Sequence, residues 1–371
     1  MQKIVLIGPV YPYKGGISHY TSLLYRALVK NHDVEMISYK MQYPRFLFRK
    51  EQKDFSNDLF QIKDTKFWIH TADPFNIICV GQRIRKMKPD MVIIQWWHPY
   101  FAPCYYLICK CLKKIKVLFI CHNVFPHERF PLDRLLTKLA LKNGNAFIVH
   151  SKQDGEDLLS IQKNAVFRYN PHPTYNVFKI KNLTKTEAKD ALQIANDKKV
   201  LLFFGYVRAY KGLKHLLCAM PAIQEQLHNV VLFVVGSFSN DKEEYEKIIR
   251  NKGIEECVEI IDGYTPDDEV EKYFAACDLV VLPYESATQS GIVQIAYGFE
   301  KPVIVTNVGG LPDVVENRKT GYVVEPMDSE ALAEAVIQYF KEGREEEFIK
   351  NVKQTAYQFS WDRMVEKIEE V

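Results

Sequence analysis

Short runs of β-branched and aliphatic residues recur along this chain, each followed by a turn and then by a helix-spaced apolar stretch. In the first half they are Ile4–Ile7, Val34–Ile37, Met91–Gln95, Val117–Cys121 and Ala146–Val149. In the second half they are Val200–Phe204, Val230–Val235, Val258–Ile261, Leu279–Leu282 and Val303–Thr306. Near-continuous apolar strands alternating with amphipathic helices imply parallel sheets covered on both faces. The rhythm pauses between about 170 and 198, where Asn170-Pro171-His172-Pro173 can continue neither a helix nor a central strand. The expectation is therefore an α/β protein of two Rossmann-like, doubly wound domains. Such sheets bind ligands beyond the carboxyl ends of their strands, where strand order reverses. Two of them facing each other form a cleft.

Composition removes several other classes. A chain of 371 residues exceeds one comfortable core. With 47% apolar and 26% charged residues it is neither disordered nor collagen-like. Its 8 cysteines show no C-x-x-C pair, which argues against a zinc ribbon, a redox motif or a disulfide framework. The apolar run Ile4–Ile7 stops at Gly8-Pro9, too soon for a secretion signal, and no stretch is long enough to span a membrane. A cytoplasmic location is expected, which includes the inner face of the plasma membrane.

Net charge conceals an asymmetry. Overall, 49 Lys and Arg stand against 46 Asp and Glu, but residues 1–175 hold 26 against 13. A basic first half either meets an anionic partner (a phosphorylated substrate, a membrane surface or nucleic acid) or is simply solvated surface. No nucleic-acid module is present, so that partner is not expected. The stretch Met41–Asp73 lacks clean periodicity and is rich in Tyr43, Arg45, Phe46, Phe48, Arg49, Lys50, Phe67 and Trp68. It is either an acceptor-binding or membrane-surface element or a packed hairpin and loop.

Four segments carry candidate chemistry. Gly15-Gly16, between the first strand and first helix, lets backbone approach an anion at a helix start, or forms a plain tight turn. It is neither G-x-G-x-x-G nor a P-loop. Arg208 and Lys211 follow the first strand of the second half. Bases are unfavourable at a helix start, so they either meet an anionic ligand or form a solvated surface pair. The polar loop from Pro283 through Glu285, Thr288, Ser290 and Gly291 to Ile292 opens a helix with free N–H groups, although Ser290 can be simply an N-cap. His122, Asn123, His127 and Glu128 cluster after a first-half strand, with Ser151 on the same rim, either as a functional group or as packed and capping residues. Their spacing does not fit a zinc site, and G-x-S-x-G is absent. No D-x-D pair is found either, so no metal or cofactor is expected.

Together these segments resemble the retaining glycosyltransferase family 4 (group 1) enzymes, of GT-B architecture. The likeness rests on Arg208-x-x-Lys211-Gly212-Leu213, on Leu282 to Ile304, on Gly309-Gly310-Leu311-Pro312-Asp313 and on Thr320-Gly321-Tyr322-Val323-Val324. In the first half it rests on Gly15-Gly16 and on His122-Asn123-Val124-x-Pro126-His127-Glu128. The resemblance implies an acceptor-side domain over 1–172, a donor domain over 173–355 and a terminal helix, 356–371, crossing back. It places Arg208 and Lys211 on a nucleotide-sugar diphosphate, with Gly16, Gly291 and Ile292 also facing phosphate. Gly15, Gly205, Gly236, Gly263, Tyr264, Glu285, Thr288 and Ser290 complete the donor set. His122 would lie near the transferred sugar, with His98, Asn123, His127, Glu128 and Ser151 on the acceptor side. The implied reaction is metal-independent hexosyl transfer with retention, to a glycan or lipid-linked acceptor. A nucleotide-sugar epimerase or hydrolase, or a degenerate sugar-nucleotide binder, are the alternatives. One departure is evident: the two glutamates usual in the family fall here at Thr288 and Ala296.

Overall fold

The computed structural model describes residues 1–48, 51–55, 58–126, 130–239 and 241–371. The chain divides into two compact units, Met1–Pro171 with Trp361–Val371, and His172–Ser360. The first boundary falls one residue before the expected one, and the return to the first unit begins at Trp361 rather than at 356.

The first unit runs β1 (Lys3–Ile7), α1 (Gly16–Leu28), β2 (Asp33–Met41), β3 (Lys66–His70), α2 (Pro74–Lys86), β4 (Met91–Trp96), α3 (Ala102–Leu112), β5 (Lys116–Cys121), α4 (Asp133–Leu141), β6 (Ala146–Val149), α5 (Lys152–Ile161) and β7 (Phe167–Tyr169). Its 7 strands lie in the order β3-β2-β1-β4-β5-β6-β7, all parallel. Alternation along β1 sorts the core. Val5 and Ile7 pack with Ile77, Val80 and Ile84 of α2 and with α3 and α4 on one face, while Ile4 and Leu6 pack with Leu24 and Leu28 of α1 on the other. Asp73 starts α2 because its carboxylate accepts from the Phe75 and Asn76 N–H groups.

The second unit runs α6 (Lys185–Ala191), β8 (Lys199–Phe204), α7 (Leu213–Gln226), β9 (Val230–Gly236), α8 (Lys242–Lys252), β10 (Val258–Asp262), α9 (Val270–Ala276), β11 (Leu279–Leu282), α10 (Gly291–Gly298), β12 (Val303–Thr306), α11 (Leu311–Val314), β13 (Gly321–Val324), α12 (Ser329–Glu342) and α13 (Glu345–Gln354). The chain then returns to the first unit as α14 (Trp361–Glu369), whose Met364, Val365 and Ile368 pack with α1. The 6 strands lie in the order β10-β9-β8-β11-β12-β13, again all parallel.

Strand order reverses between β1 and β4 in the first sheet and between β8 and β11 in the second. Those two switch points are where ligands bind in sheets of this type. The region 41–73, expected to be irregular, ends in a real strand, β3. It is an edge strand with only Ile69 buried, so it lacks the continuous apolar run of the central strands.

Candidate functional site

The second unit builds its site from the loops that leave β8 and β11, which flank the switch point. After β8 the backbone turns at Gly205 (φ +105°), a conformation that side chains other than glycine rarely adopt. Arg208 follows, then a single turn of 3₁₀ helix that carries Lys211. Gly212 ends that turn with φ +66°, and a Cβ there would lie 1.9 Å from the Pro283 carbonyl oxygen. Only glycine therefore lets the β8 loop press on the β11 loop. The Glu285 N–H donates to the Tyr210 carbonyl (2.7 Å), sewing the same two loops together.

This arrangement gathers the expected donor-side residues. A Cβ on Gly205 would meet the Lys211 Nζ at 3.2 Å and Ile292 Cδ1 at 3.4 Å, so the Lys211 ammonium, the end of β8 and the start of α10 converge. Lys211 is half-buried, with its Nζ over the Tyr284 ring, 5.5 Å from the centroid. Burial pushes its pKa down; Tyr210 opposes that and the like charge of Arg208 adds to it. Arg208 donates to Ser239 Oγ (2.5 Å) on the loop after β9. Among the described residues neither cation has an ion-pair partner. Two positive charges at a switch point, with no ion-paired carboxylate among the described residues, have the chemistry to meet an anionic ligand.

Glycines finish the rim. A Cβ on Gly236 (φ +152°) would lie 1.9 Å from the Gly205 carbonyl oxygen, and Gly263 (φ +134°) ends the next strand, with Tyr264 donating from its hydroxyl to Asp267 (3.4 Å). Ser290 is the N-cap of α10, accepting from Ile292 N–H (3.2 Å), so that N–H is already engaged within the chain. Glu285 likewise faces inward to α7, pairing with Lys214 (2.9 Å) and His215 (2.8 Å), and the Lys214 ammonium foremost holds its carboxyl below the usual range. Thr288 is part of the β11 loop, its carbonyl accepting from Gly310 N–H (2.8 Å), while Ala296 is fully buried in the core. Gly309 (φ +50°) packs on that loop so closely that a Cβ would sit 1.6 Å from the Ala287 carbonyl oxygen. Ser239, Tyr284 and His215 escaped sequence reading, because nothing in their spacing links them to Arg208, Lys211 or Glu285.

In the first unit the candidate residues sit at the carboxyl ends of β1, β4, β5 and β6. Gly15 (φ +106°) opens α1, and the positions around Gly15 and Gly16 are sterically open. His122 is only 1% exposed. Its Nε2 bonds Gln95 Oε1 (2.7 Å) and its ring meets the Tyr20 ring edge-on at 4.5 Å. Gln95 in turn lies under Gly8, whose Cβ would come 2.6 Å from Gln95 Cγ. Asn123 donates to the Trp97 carbonyl (3.0 Å), tying the β5 loop to the β4 loop that carries His98. His98 caps the turn after β4, accepting from Tyr100 N–H (3.1 Å), and stacks on Phe130 at 5.9 Å. Ser151 caps α5 and donates to Asp154 Oδ2 (2.6 Å), while Asp154 Oδ1 accepts from Val124 N–H (2.9 Å). That carboxylate clamps the loop that begins at His122. His127 and Glu128, like Arg49 and Lys50, lie outside the described residues.

Two all-parallel, doubly wound sheets, one with a cationic switch point, define the GT-B class of fold. The chain belongs to the group 1 glycosyltransferases: the model of "Glycosyl transferases group 1" matches residues 184–358, and that of "Glycosyltransferase Family 4" matches residues 14–170. An uncharacterized glycosyltransferase of Methanocaldococcus jannaschii is 29% identical over 188 residues, 49% of this chain and 47% of that one. The lipopolysaccharide 1,2-N-acetylglucosaminetransferase of Salmonella typhimurium is 27% identical over 192 residues, 49% and 50% of the two chains. The chain thus spans about half the length of these curated relatives. Among solved structures, Anabaena HepE in complex with UDP and glucose superposes with a TM-score of 0.77 at 16% identity, over 100% of both chains. Sucrose-phosphate synthase of Thermosynechococcus elongatus gives 0.74 at 18%, over 100% of this chain and 98% of that one.

Proposed function

We propose that this protein transfers a hexosyl unit from a nucleotide-diphosphate sugar to a glycan acceptor, retaining the anomeric configuration. One observation carries the reading: Lys211 and Arg208 meet the glycine-lined end of β8 without carboxylate partners among the described residues. As the bond from the anomeric carbon to phosphate breaks, negative charge grows on the departing diphosphate. Fixed cations aimed at that oxygen stabilise the transition state more than the ground state. Each charge-assisted hydrogen bond is worth roughly 1.5–3 kcal/mol, about 10–100-fold in rate. The leaving group's charge is then met by the chain's own cations, so the reaction needs neither a cofactor nor a divalent ion. The acceptor binds at the first unit, whose carboxyl-edge loops carry His98, Asn123 and exposed aromatic residues. A lipid-linked glycan in the cytoplasm suits that surface. The relative named as an N-acetylglucosaminetransferase supports the reaction class.

The experiment is turnover of a panel of nucleotide sugars with free and lipid-linked glycan acceptors. Transfer with one donor, and an unchanged anomeric configuration in the product, is expected. Intact protein that binds no donor overturns the reading, and turnover of donor without acceptor makes it an epimerase or hydrolase.

A further inference from the structure

The helices α2, α3 and α4 form one continuous layer on the first sheet. On α2, Ile77, Val80 and Ile84 face inward and are buried. The outward stripe, at i, i+3, i+4 and i+7, is Phe75, Ile78, Cys79 and Gln82. Phe75 is 83% exposed, although a helix already sealed to its own sheet needs no apolar residue outside. The start of α4 repeats this, with Leu132 66% and Leu135 64% exposed.

Charge on the same layer is one-sided. The three helices hold six cations: three on α2 (Arg83, Arg85, Lys86), one on α3 (Lys110) and two on α4 (Arg134, Lys138). Their one acid, Asp133, is buried. All six cations are exposed, and among the described residues none is ion-paired. By contrast, α14 on the opposite face pairs its charges, as in Arg363–Glu366 (2.9 Å) and Lys30–Asp362 (2.9 Å). The acidic residues Glu156 and Asp157 of α5 mark where the basic layer ends.

Topology orders these residues. Each helix follows a parallel strand, so its N-terminus lies at the carboxyl edge of the sheet and its C-terminus at the amino edge. Phe75, Ile78, Leu132 and Leu135 therefore stand at the carboxyl edge, beside the candidate acceptor loops. Most of the cations stand behind them.

We infer that the outer face of the α2–α3–α4 layer docks on an anionic lipid bilayer, its apolar end inserted and its cations on the headgroups. Phosphates alone would account for the cations. The exposed phenylalanine and leucines gain only where an apolar phase buries them, which favours a bilayer over nucleic acid. Each cation near an anionic surface adds attraction that salt screens.

The test is co-sedimentation of the full chain with phosphatidylcholine vesicles, with and without phosphatidylglycerol, at low and high salt. Binding should require phosphatidylglycerol and fall with salt. The triple change Arg83→Gln, Arg85→Gln, Lys86→Gln should lower partitioning about tenfold or more. The pair Phe75→Ser, Leu135→Ser should lower it even at low salt. Nucleoside-diphosphate binding should be unchanged in both, which also reports that the variants are folded. Equal binding to both vesicle types, or none, overturns the inference. Binding of an RNA oligonucleotide without vesicle binding assigns the face to nucleic acid instead. Because vesicle binding needs no turnover, failure of the transferase reading would leave this inference standing, and the reverse.

Discussion

The Lys211 ammonium lies 3.2 Å from where a methyl group on Gly205 would sit, at a backbone φ of +105°. The glycine thus makes room for the cation and supplies the turn that aims it. Gly205→Ala should push Lys211 aside and strain the loop. Nucleoside-diphosphate affinity should fall about tenfold, at a stability cost of roughly 1–2 kcal/mol from the left-handed backbone. Calorimetric titration and urea unfolding measure the two effects separately.

Glu285 is committed to α7 through Lys214 and His215. Its pairs are partly exposed, so screening keeps their worth small. Glu285→Gln should change nucleoside-diphosphate affinity less than about threefold and stability by less than about 1 kcal/mol. A loss of affinity beyond tenfold would mean that this carboxylate serves the ligand in place of the glutamates missing at Thr288 and Ala296.

Lys211 gives donor binding a pH signature. Burial holds its pKa below that of an ordinary lysine, and a bound diphosphate restores it. Binding should therefore take up a proton at alkaline pH, and affinity should decline before the pH at which an ordinary lysine loses its charge. Titrations in buffers of different ionisation enthalpy read that proton directly. An affinity flat up to that pH, with no uptake, would contradict the arrangement.

Two buried groups in the first unit oppose each other in acid. The His150 Nδ1 meets the Asn170 carbonyl (2.7 Å), and burial pushes its pKa down to about 4. Below about 6.5 the unfolded chain takes a proton that the folded chain refuses, so stability falls toward pH 4. Burial pushes Asp154 the other way, up to about 6 from 3.8. The folded chain protonates it first, so acidification over that window adds stability. His150→Asn should leave stability rising as pH falls from about 6 to 4, and Asp154→Asn should leave it falling. Urea unfolding across this range checks both signs.

The central strands were legible because each is apolar throughout, as β4 is, with all of Met91–Trp96 buried. The edge strands β3 and β7 were not, since Lys66–His70 and Phe167–Tyr169 contain charged residues and no continuous apolar run like those of the central strands. Arg208 and Lys211 were legible as bases placed where a helix start disfavours them. Their supports were not, because Ser239 lies 31 residues from Arg208 and comes beside it only through the β8–β9 pairing. The burial of His122 was hidden for the same reason: Gln95, 27 residues earlier, reaches it only once β4 and β5 are side by side.

Nucleoside-diphosphate binding to Lys211→Ala and Arg208→Ala, alongside the unaltered chain, tests the central claim most directly. The nucleotide is the tightest binder from a panel of UDP, GDP, ADP and dTDP. Each variant should remain folded and bind at least about tenfold more weakly, the loss of one charge-assisted contact. Affinity equal to that of the unaltered chain in both variants would contradict the claim that these two cations hold the diphosphate.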